Sequence, residues 1–306
     1  MTAPMPLLVI LGPTASGKSA LATTVARQCG AEILSVDSMQ VYQEMDIGTA
    51  KASLAQRHEI RHHLLDWVRP DESFNVARFV ELADRVIADA HQRGVRLIAT
   101  GGTPLYYQGL FKGLFDGPPA DESIRLRLRH LSGEQLHQKL READPASAQR
   151  INPSDRKRLI RALEVYELTG QPISSLQRQW ESDQPPRHRA VWIGLAWDRE
   201  ALSRRINARV KDMIAAGWVE EVRQLLQKYK FSKTAGEATG YRQLIDHVQG
   251  LVSLEEAVEQ IKIATRQLAR RQMKWFKRFP DVHWLNGENP MEQNVQTAVA
   301  LWEKGA

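Results

Sequence analysis

The sequence predicts an α/β protein: a parallel sheet flanked by helices, with an all-helical module inserted into it. Three observations lead there. Strand-like and helix-like runs alternate through the first third of the chain, the pattern of a parallel sheet with helices on both faces. A glycine-rich motif, Gly12 to Ser19, stands between an apolar run and a helical one. Two Gly/Pro-rich breaks, Gly113–Pro119 and Ser182–Arg189, bracket a middle segment without strand signal.

In chain order, Leu7–Leu11 is a short apolar strand, and a helix follows from Lys18 to about Gln28. Glu32–Asp37 is a second strand ending on a carboxylate. Phe74–Arg93 has helical periodicity, with Phe79, Leu82, Val86 and Ile87 on one face and Gly94 as its stop. Val95–Thr100 is a third strand and runs into Gly101-Gly102-Thr103. The middle segment reads as helices rich in arginine and lysine. Ala190–Trp197 returns to strand, and helices follow over 199–216 and 219–229. A long helix over 254–279 carries Ile261, Leu268 and Trp275 on an apolar stripe, with Lys262, Arg266, Arg270, Lys274 and Lys277 on a basic face. Asn289-Pro290 opens a last helix. The division expected is a core over 1–115 and 189–306, with the helical insertion over 116–188.

Composition agrees with an ordinary globular chain. Of 306 residues, 42% are hydrophobic and 25% charged, far from disordered or fibrous sequence. The net charge of +6 makes an acidic partner such as nucleic acid plausible without requiring one. The single cysteine, Cys29, cannot form an internal disulfide or a cysteine zinc cluster. No apolar run approaches the roughly 18 residues of a membrane span. A cytoplasmic protein with no membrane partner, and a monomer, is expected.

Gly12-Pro-Thr-Ala-Ser-Gly17-Lys18-Ser19 matches GxxxxGK[ST]. Glycines let backbone amides wrap phosphate oxygens, and the helix N-terminus adds partial positive charge. Lys18 supplies a full charge, and Ser19 offers a hydroxyl to Mg2+. The motif specifies a phosphate site and does not specify ATP. Asp37, at a neighbouring strand end, can hold magnesium through water or act as a base on an acceptor; its bland alternative is an N-cap. His62-His63 lacks a third ligand at metal spacing, so a metal reading is not adopted.

Several runs in order resemble the tRNA dimethylallyltransferases: Gly12–Ser19, Ser35–Tyr42 (SVDSMQVY), Asp46–Lys51 (DIGTAK), His62–Asp66, Gly101–Tyr106, Asn152-Pro153, Arg158–Val165, Gly170, Gly240–Gln243 and Thr265–Gln272. The phosphate loop is shared by many families, and the two runs beside it are far more specific. The resemblance implies a P-loop NTPase-like core whose helical insertion grips the anticodon arm. It implies transfer of a dimethylallyl group from dimethylallyl diphosphate to N6 of the adenosine 3′ of the anticodon. Gly12, Thr14, Ala15, Ser16, Gly17, Lys18, Ser19 and Arg209 would hold the diphosphate, with Mg2+ as cofactor. Asp37 would be the base and Thr103 the hydroxyl near the target adenine. Ser38, Met39 and Gln40, with Asp37 and Thr103, would meet the flipped nucleotide. Arg125, Arg161, Ala162, Leu163, Glu164, Val165, Gly240, Tyr241 and Arg242 would meet tRNA elsewhere. The competing readings are a small-molecule kinase, which has no use for the basic insertion, and an RNA-binding module with a vestigial phosphate loop, against which intact Lys18, Ser19 and Asp37 argue.

Overall fold

The computed structural model describes residues 5–115, 117–177 and 185–305. Packing divides the chain into two compact units, Met1–Leu110 with His188–Ala306, and Phe111–Arg187. The expected limits of the insertion, 116 and 188, shift to 111 and 187 because its ends are paired. The Arg187 amide donates to the Phe111 carbonyl at 2.9 Å. Part of the second Gly/Pro break, Ser182–Gln184, lies outside the described residues.

The larger unit begins with β1 (Leu7–Leu11), α1 (Lys18–Cys29), β2 (Glu32–Ser35), α2 (Leu54–Glu59), β3 (His62–His63), α3 (Val76–Gln92), β4 (Leu97–Gly101) and α4 (Pro104–Lys112). The helical unit holds α5 (Glu122–Arg129), α6 (Gly133–Ala143), α7 (Pro145–Arg150), α8 (Arg156–Thr169) and α9 (Ile173–Leu176). The larger unit resumes with β5 (Ala190–Ala196), α10 (Arg199–Ala215), α11 (Trp218–Lys228), α12 (Lys233–Gly236), α13 (Tyr241–Val248), α14 (Leu254–Phe276), β6 (His283–Asn286) and α15 (Met291–Gly305).

Six parallel strands form one sheet in the order β3-β2-β4-β1-β5-β6. β1 is central, with Val9 opposite Ala99 on one side and Trp192 on the other. Every residue of β1 and β4 is buried. Helices cover both faces, so these strands are continuous apolar runs without alternation. β6 is the element that sequence patterning misses. Its residues are mostly exposed, and as an edge strand it is defined by pairing with β5 rather than by its own hydrophobicity.

Two helix ends differ from expectation. α3 starts at Val76 because the Asn75 side chain caps it by accepting from the Arg78 amide at 3.0 Å. Phe74 precedes the helix and is buried near the Tyr106 ring. α14 stops at Phe276, and Phe279 beyond it stacks on Trp192 with ring centroids 5.2 Å apart. The buried stripe of α14 is Ala257, Ile261, Ala269, Gln272 and Phe276. Trp275 is only half-buried. A strict heptad drifts about 20° per repeat around an α-helix, so Phe276 takes the core position.

In the helical unit, Leu128, Leu136, Leu140, Leu159, Leu163 and Ile173 form the core. Asp121, Ser132, Asp144 and Asp155 cap α5 to α8 in turn. Among the described residues no helix is long and apolar enough to cross a membrane.

Candidate active site

The site gathers at the carboxyl ends of β1, β2 and β4, where ligands of open α/β sheets bind. The phosphate loop joins β1 to α1. Gly12 is required by close approach: a Cβ there would lie 2.8 Å from Ser16 Oγ and 3.3 Å from the Leu195 carbonyl oxygen. Gly17 turns the chain into α1 at φ 92°. Ala15 holds φ 64°, an uncommon conformation for a residue with a Cβ. Two side chains from the β5 end and α10 sustain it. Arg205 Nε donates to the Ala15 carbonyl and Trp197 Nε1 to the Ser16 carbonyl, each at 2.9 Å. The Arg205 guanidinium also lies 4.3 Å above the Trp197 ring. Neither residue is identifiable from sequence, because each acts on a loop nearly two hundred residues away.

Lys18 donates to the Pro13 carbonyl at 3.3 Å. Burial and the neighbouring Arg209 charge push its ammonium down to about 8, with Asp37 opposing them. Burial also lowers Arg209, and Asp37 again opposes the shift. Two cations therefore face one carboxylate, an arrangement short of negative charge. Ser19 is exposed on the first turn of α1. The Thr14 amide is already taken: it donates to Gln272 Oε1 at 2.9 Å. Only the side chain of Thr14 is left for a phosphate, a restriction on its expected role.

Asp37 lies beyond the end of β2, not on its last residue as expected. Its Oδ1 accepts from the Met39 amide at 2.9 Å. Thr103 follows the paired glycines after β4. A Cβ at Gly101 would fall 2.0 Å from the Val36 carbonyl oxygen, and one at Gly102 3.4 Å from Asp37 Oδ2. The two loops therefore touch through backbone. Thr103 Oγ1 accepts from the Ser38 amide at 2.9 Å and donates to Ser38 Oγ at 3.2 Å. It orients the segment that carries Asp37.

Gln40 is held at both ends of its amide. Ser35 Oγ donates to its Oε1 at 2.8 Å, and its Nε2 donates to the Thr49 carbonyl at 3.1 Å. The loop containing Thr49 is fixed from two sides. The Lys51 side chain has no exposed surface and binds the Tyr42 carbonyl, Asp46 and Asp66 at 2.6–2.7 Å. Glu221 accepts from the amides of Asp46 and Ile47 at 3.0 and 2.6 Å, and Tyr241 Oη donates to it at 2.6 Å.

Several residues expected to meet tRNA are buried or engaged by neighbouring groups. Tyr241 is 1% exposed and its hydroxyl serves Glu221. Gly240 packs on the Trp218 ring, where a Cβ would lie 2.0 Å from Cη2. Of that trio only Arg242 is exposed. In the helical unit, Ala162, Leu163, Glu164 and Val165 are all buried. Burial pushes the Glu164 carboxyl up, but bonds from Arg125 and Arg161 outweigh it and leave the group below its ordinary range. Arg125 reaches Glu164 at 2.8 Å and Arg161 at 2.6 Å. Buried Glu164 thus holds both arginines. His62 and His63 diverge, to the Ile60 carbonyl and to Glu32 respectively.

A cavity of about 440 Å³ joins these groups. Its lining mixes the polar groups Lys18, Asp37, Gln40, Thr103 and Arg209 with apolar Ile206, Val210, Met213, Trp218, Ile261 and Leu268. A second cavity, about 710 Å³, is bordered by Pro13, an apolar surface of Trp197, Leu202 and Met273, and the cations Arg199, Arg266, Arg270, Lys274 and Lys277.

Fold and site together define a phosphate-loop α/β protein with an acidic group facing its anion cradle. The family model described as IPP transferase matches residues 40–279, and the chain belongs to that family. It is 46% identical over 93% of its length to a tRNA dimethylallyltransferase of Pelotomaculum thermopropionicum, 91% of which is covered. A tRNA dimethylallyltransferase of Geobacter metallireducens is 44% identical, with 97% of each chain covered. The crystal structure of a tRNA isopentenylpyrophosphate transferase from Bacillus halodurans aligns with TM-score 0.72 at 34% identity, covering 98% of this chain and 97% of that one. A eukaryotic dimethylallyltransferase acting on tRNA aligns with TM-score 0.79 at 28% identity, covering 99% of this chain and 76% of that one.

Proposed function

We propose that this protein transfers the dimethylallyl group of dimethylallyl diphosphate to N6 of the adenosine 3′-adjacent to the anticodon in tRNA, releasing diphosphate. The observation that carries this reading is the mixed cationic and apolar lining of one cavity. Lys18 and Arg209 line it together with apolar side chains of α10 and α14, which suits a donor made of a diphosphate and a short hydrocarbon. A kinase would share the cradle and Asp37, but family membership and the apolar lining favour prenyl transfer.

The chemistry follows from the residues. The carbon–oxygen bond of the donor breaks and its electron pair leaves with the diphosphate, while the N6 lone pair forms the new carbon–nitrogen bond. The allylic carbon tolerates positive charge, so stabilising the leaving group contributes most. Lys18 and Arg209 supply that stabilisation. The adenine amine is a weak nucleophile because its lone pair is delocalised into the ring; Asp37 takes its proton as the bond forms. Mg2+ characteristically takes few protein ligands and completes its shell with water and substrate phosphates. An exposed Ser19 hydroxyl and the Asp37 carboxylate, which line one cavity, fit that donor set, and the ion would neutralise diphosphate charge. The target adenine must leave the loop stack, at a cost of a few kcal/mol that is least in single-stranded RNA. Gln40, held at both ends of its amide, would read it. Arg125, Arg161, Arg242 and the cations around the second cavity supply sequence-independent phosphate contacts.

The test is incubation of the protein with Mg2+, labelled dimethylallyl diphosphate and unmodified tRNA bearing adenosine 3′ of the anticodon, followed by nucleoside analysis. Label in N6-dimethylallyladenosine without added ATP is the expected result. Phosphorylation of a small acceptor with no prenyl transfer would move the assignment to the kinase reading.

A further inference from the structure

Gln272 is a polar side chain in the buried stripe of α14, 6% exposed, with apolar Ala269 and Phe276 on the same face. An amphipathic helix would place a hydrophobic residue there. Both ends of its amide are engaged, and by two different loops. Oε1 accepts from the Thr14 amide at 2.9 Å, and Nε2 donates to the Gly102 carbonyl at 2.6 Å. Thr14 lies in the phosphate loop after β1, and Gly102 lies in the turn after β4. These strands are neighbours in the sheet, but among the described residues no backbone hydrogen bond joins the two turns directly.

We infer that Gln272 is a positioning residue that holds the donor-binding loop and the acceptor-side loop at one fixed separation. Four observations converge on it. A side-chain amide carries an acceptor and a donor on one rigid plane, the combination needed to satisfy an N–H and a carbonyl at once. Residue 102 must be glycine for the brace to fit, since a Cβ there would stand 2.7 Å from Gln272 Nε2. The brace continues toward the reacting groups: Thr103 follows Gly102, its hydroxyl holds the Ser38 amide at 2.9 Å, and Ser38 follows Asp37. Finally, the Thr14 amide is spent on Gln272 rather than kept for phosphate, so this loop position serves registration. A bimolecular transfer between two loosely bound substrates depends on such registration, and a displacement of about 1 Å costs on the order of a hundredfold in rate.

The inference rests on the prenyl-transfer reading for its catalytic consequence but not for the coupling itself, and two measurements separate them. The first is kinetics of Gln272→Met and Gln272→Glu, with thermal melts to verify folding. Methionine keeps the volume and loses both hydrogen bonds; kcat should fall at least tenfold, while KM for donor and for tRNA each stay within threefold. A carboxylate at 272 repels the Gly102 carbonyl, whereas its protonated form restores one donor and one acceptor. The activity of Gln272→Glu relative to wild type should therefore rise as pH is lowered from 8 to 6. The second measurement is amide hydrogen exchange, which needs no turnover. In Gln272→Met the Thr14 segment and the Gly102–Thr103 segment should lose protection together. A kcat within twofold of wild type for both variants would overturn the role, as would a loss confined to one KM or a pH-independent ratio. Loss of protection in one segment alone would overturn the coupling. Absence of transfer by wild type would instead overturn the functional reading, and the exchange result would still decide the brace.

Discussion

Raising the pH through the titration of Lys18 should remove the donor's chief cationic partner in a way that can be counted in protons. The ammonium form binds diphosphate, and burial together with the Arg209 charge brings its titration down from 10.5 to about 8. The sign follows directly: below 8 the group is charged and competent, and above 8 it is neutral. At pH 9 about one molecule in ten keeps the proton, so kcat/KM for the donor should fall about tenfold per pH unit on the alkaline side, as expected when the free enzyme must hold a proton. Ordinary phosphate ionisations, near pH 6, are complete before this window. Bound diphosphate favours the ammonium, so donor binding at pH 8–9 should take up protons, and kcat at saturating donor should lose activity only at higher pH. The assay is initial-rate kinetics from pH 6.5 to 9.5, joined to titration calorimetry in buffers of different ionisation enthalpy. Lys18→Arg keeps its charge throughout and should lack the alkaline limb even if its rate is lower. The same limb in Lys18→Arg, or no proton uptake by wild type, would refute the reasoning.

Asp37→Ala should keep tRNA affinity, measured by filter binding, yet lose most turnover; unchanged turnover would remove Asp37 from the role of base. Glu221→Gln and Tyr241→Phe each weaken the support of the loop behind Gln40. Each should cost about 1–2 kcal/mol in a denaturant melt and raise KM for tRNA more than KM for the donor; equal effects on both would argue against that loop reading the base. Arg158 is exposed on α8, and Arg158→Glu should lower the slope of log affinity against log salt by about one. Arg161→Ala differs, because it also takes a partner from buried Glu164. It should lower thermal stability by about 1.5–3 kcal/mol, which a melt of Arg158→Glu should not show.

The legible parts of this protein are those whose physics is local. Leu7–Leu11 is a strand because a run of buried apolar residues suits a sheet covered on both faces. Gly12–Ser19 is a phosphate loop because its glycines and Lys18 stand at set spacing. The caps that start α5 to α8 are single side chains acting within one turn. Asp37 could be chosen as an acid near a strand end, although its place beyond β2 depends on Val36 pairing with Thr100, whose carbonyl accepts the Val36 amide at 2.8 Å. Other features had no local signal. β6 has an unremarkable sequence and exists through its pairing with β5. Tyr241 and Glu164 lie in runs that suggest RNA contacts, yet packing turns both inward, where they orient other groups. Gln272, Arg205 and Trp197 support the phosphate loop from positions 181–258 residues away in sequence. By itself the sequence determined the alternation of elements, the anion cradle and the chemical class of the groups around it. The tertiary structure alone decided which of those groups touch, because a hydrogen bond between distant segments depends on how helices and strands pack, and no spacing along the chain records that.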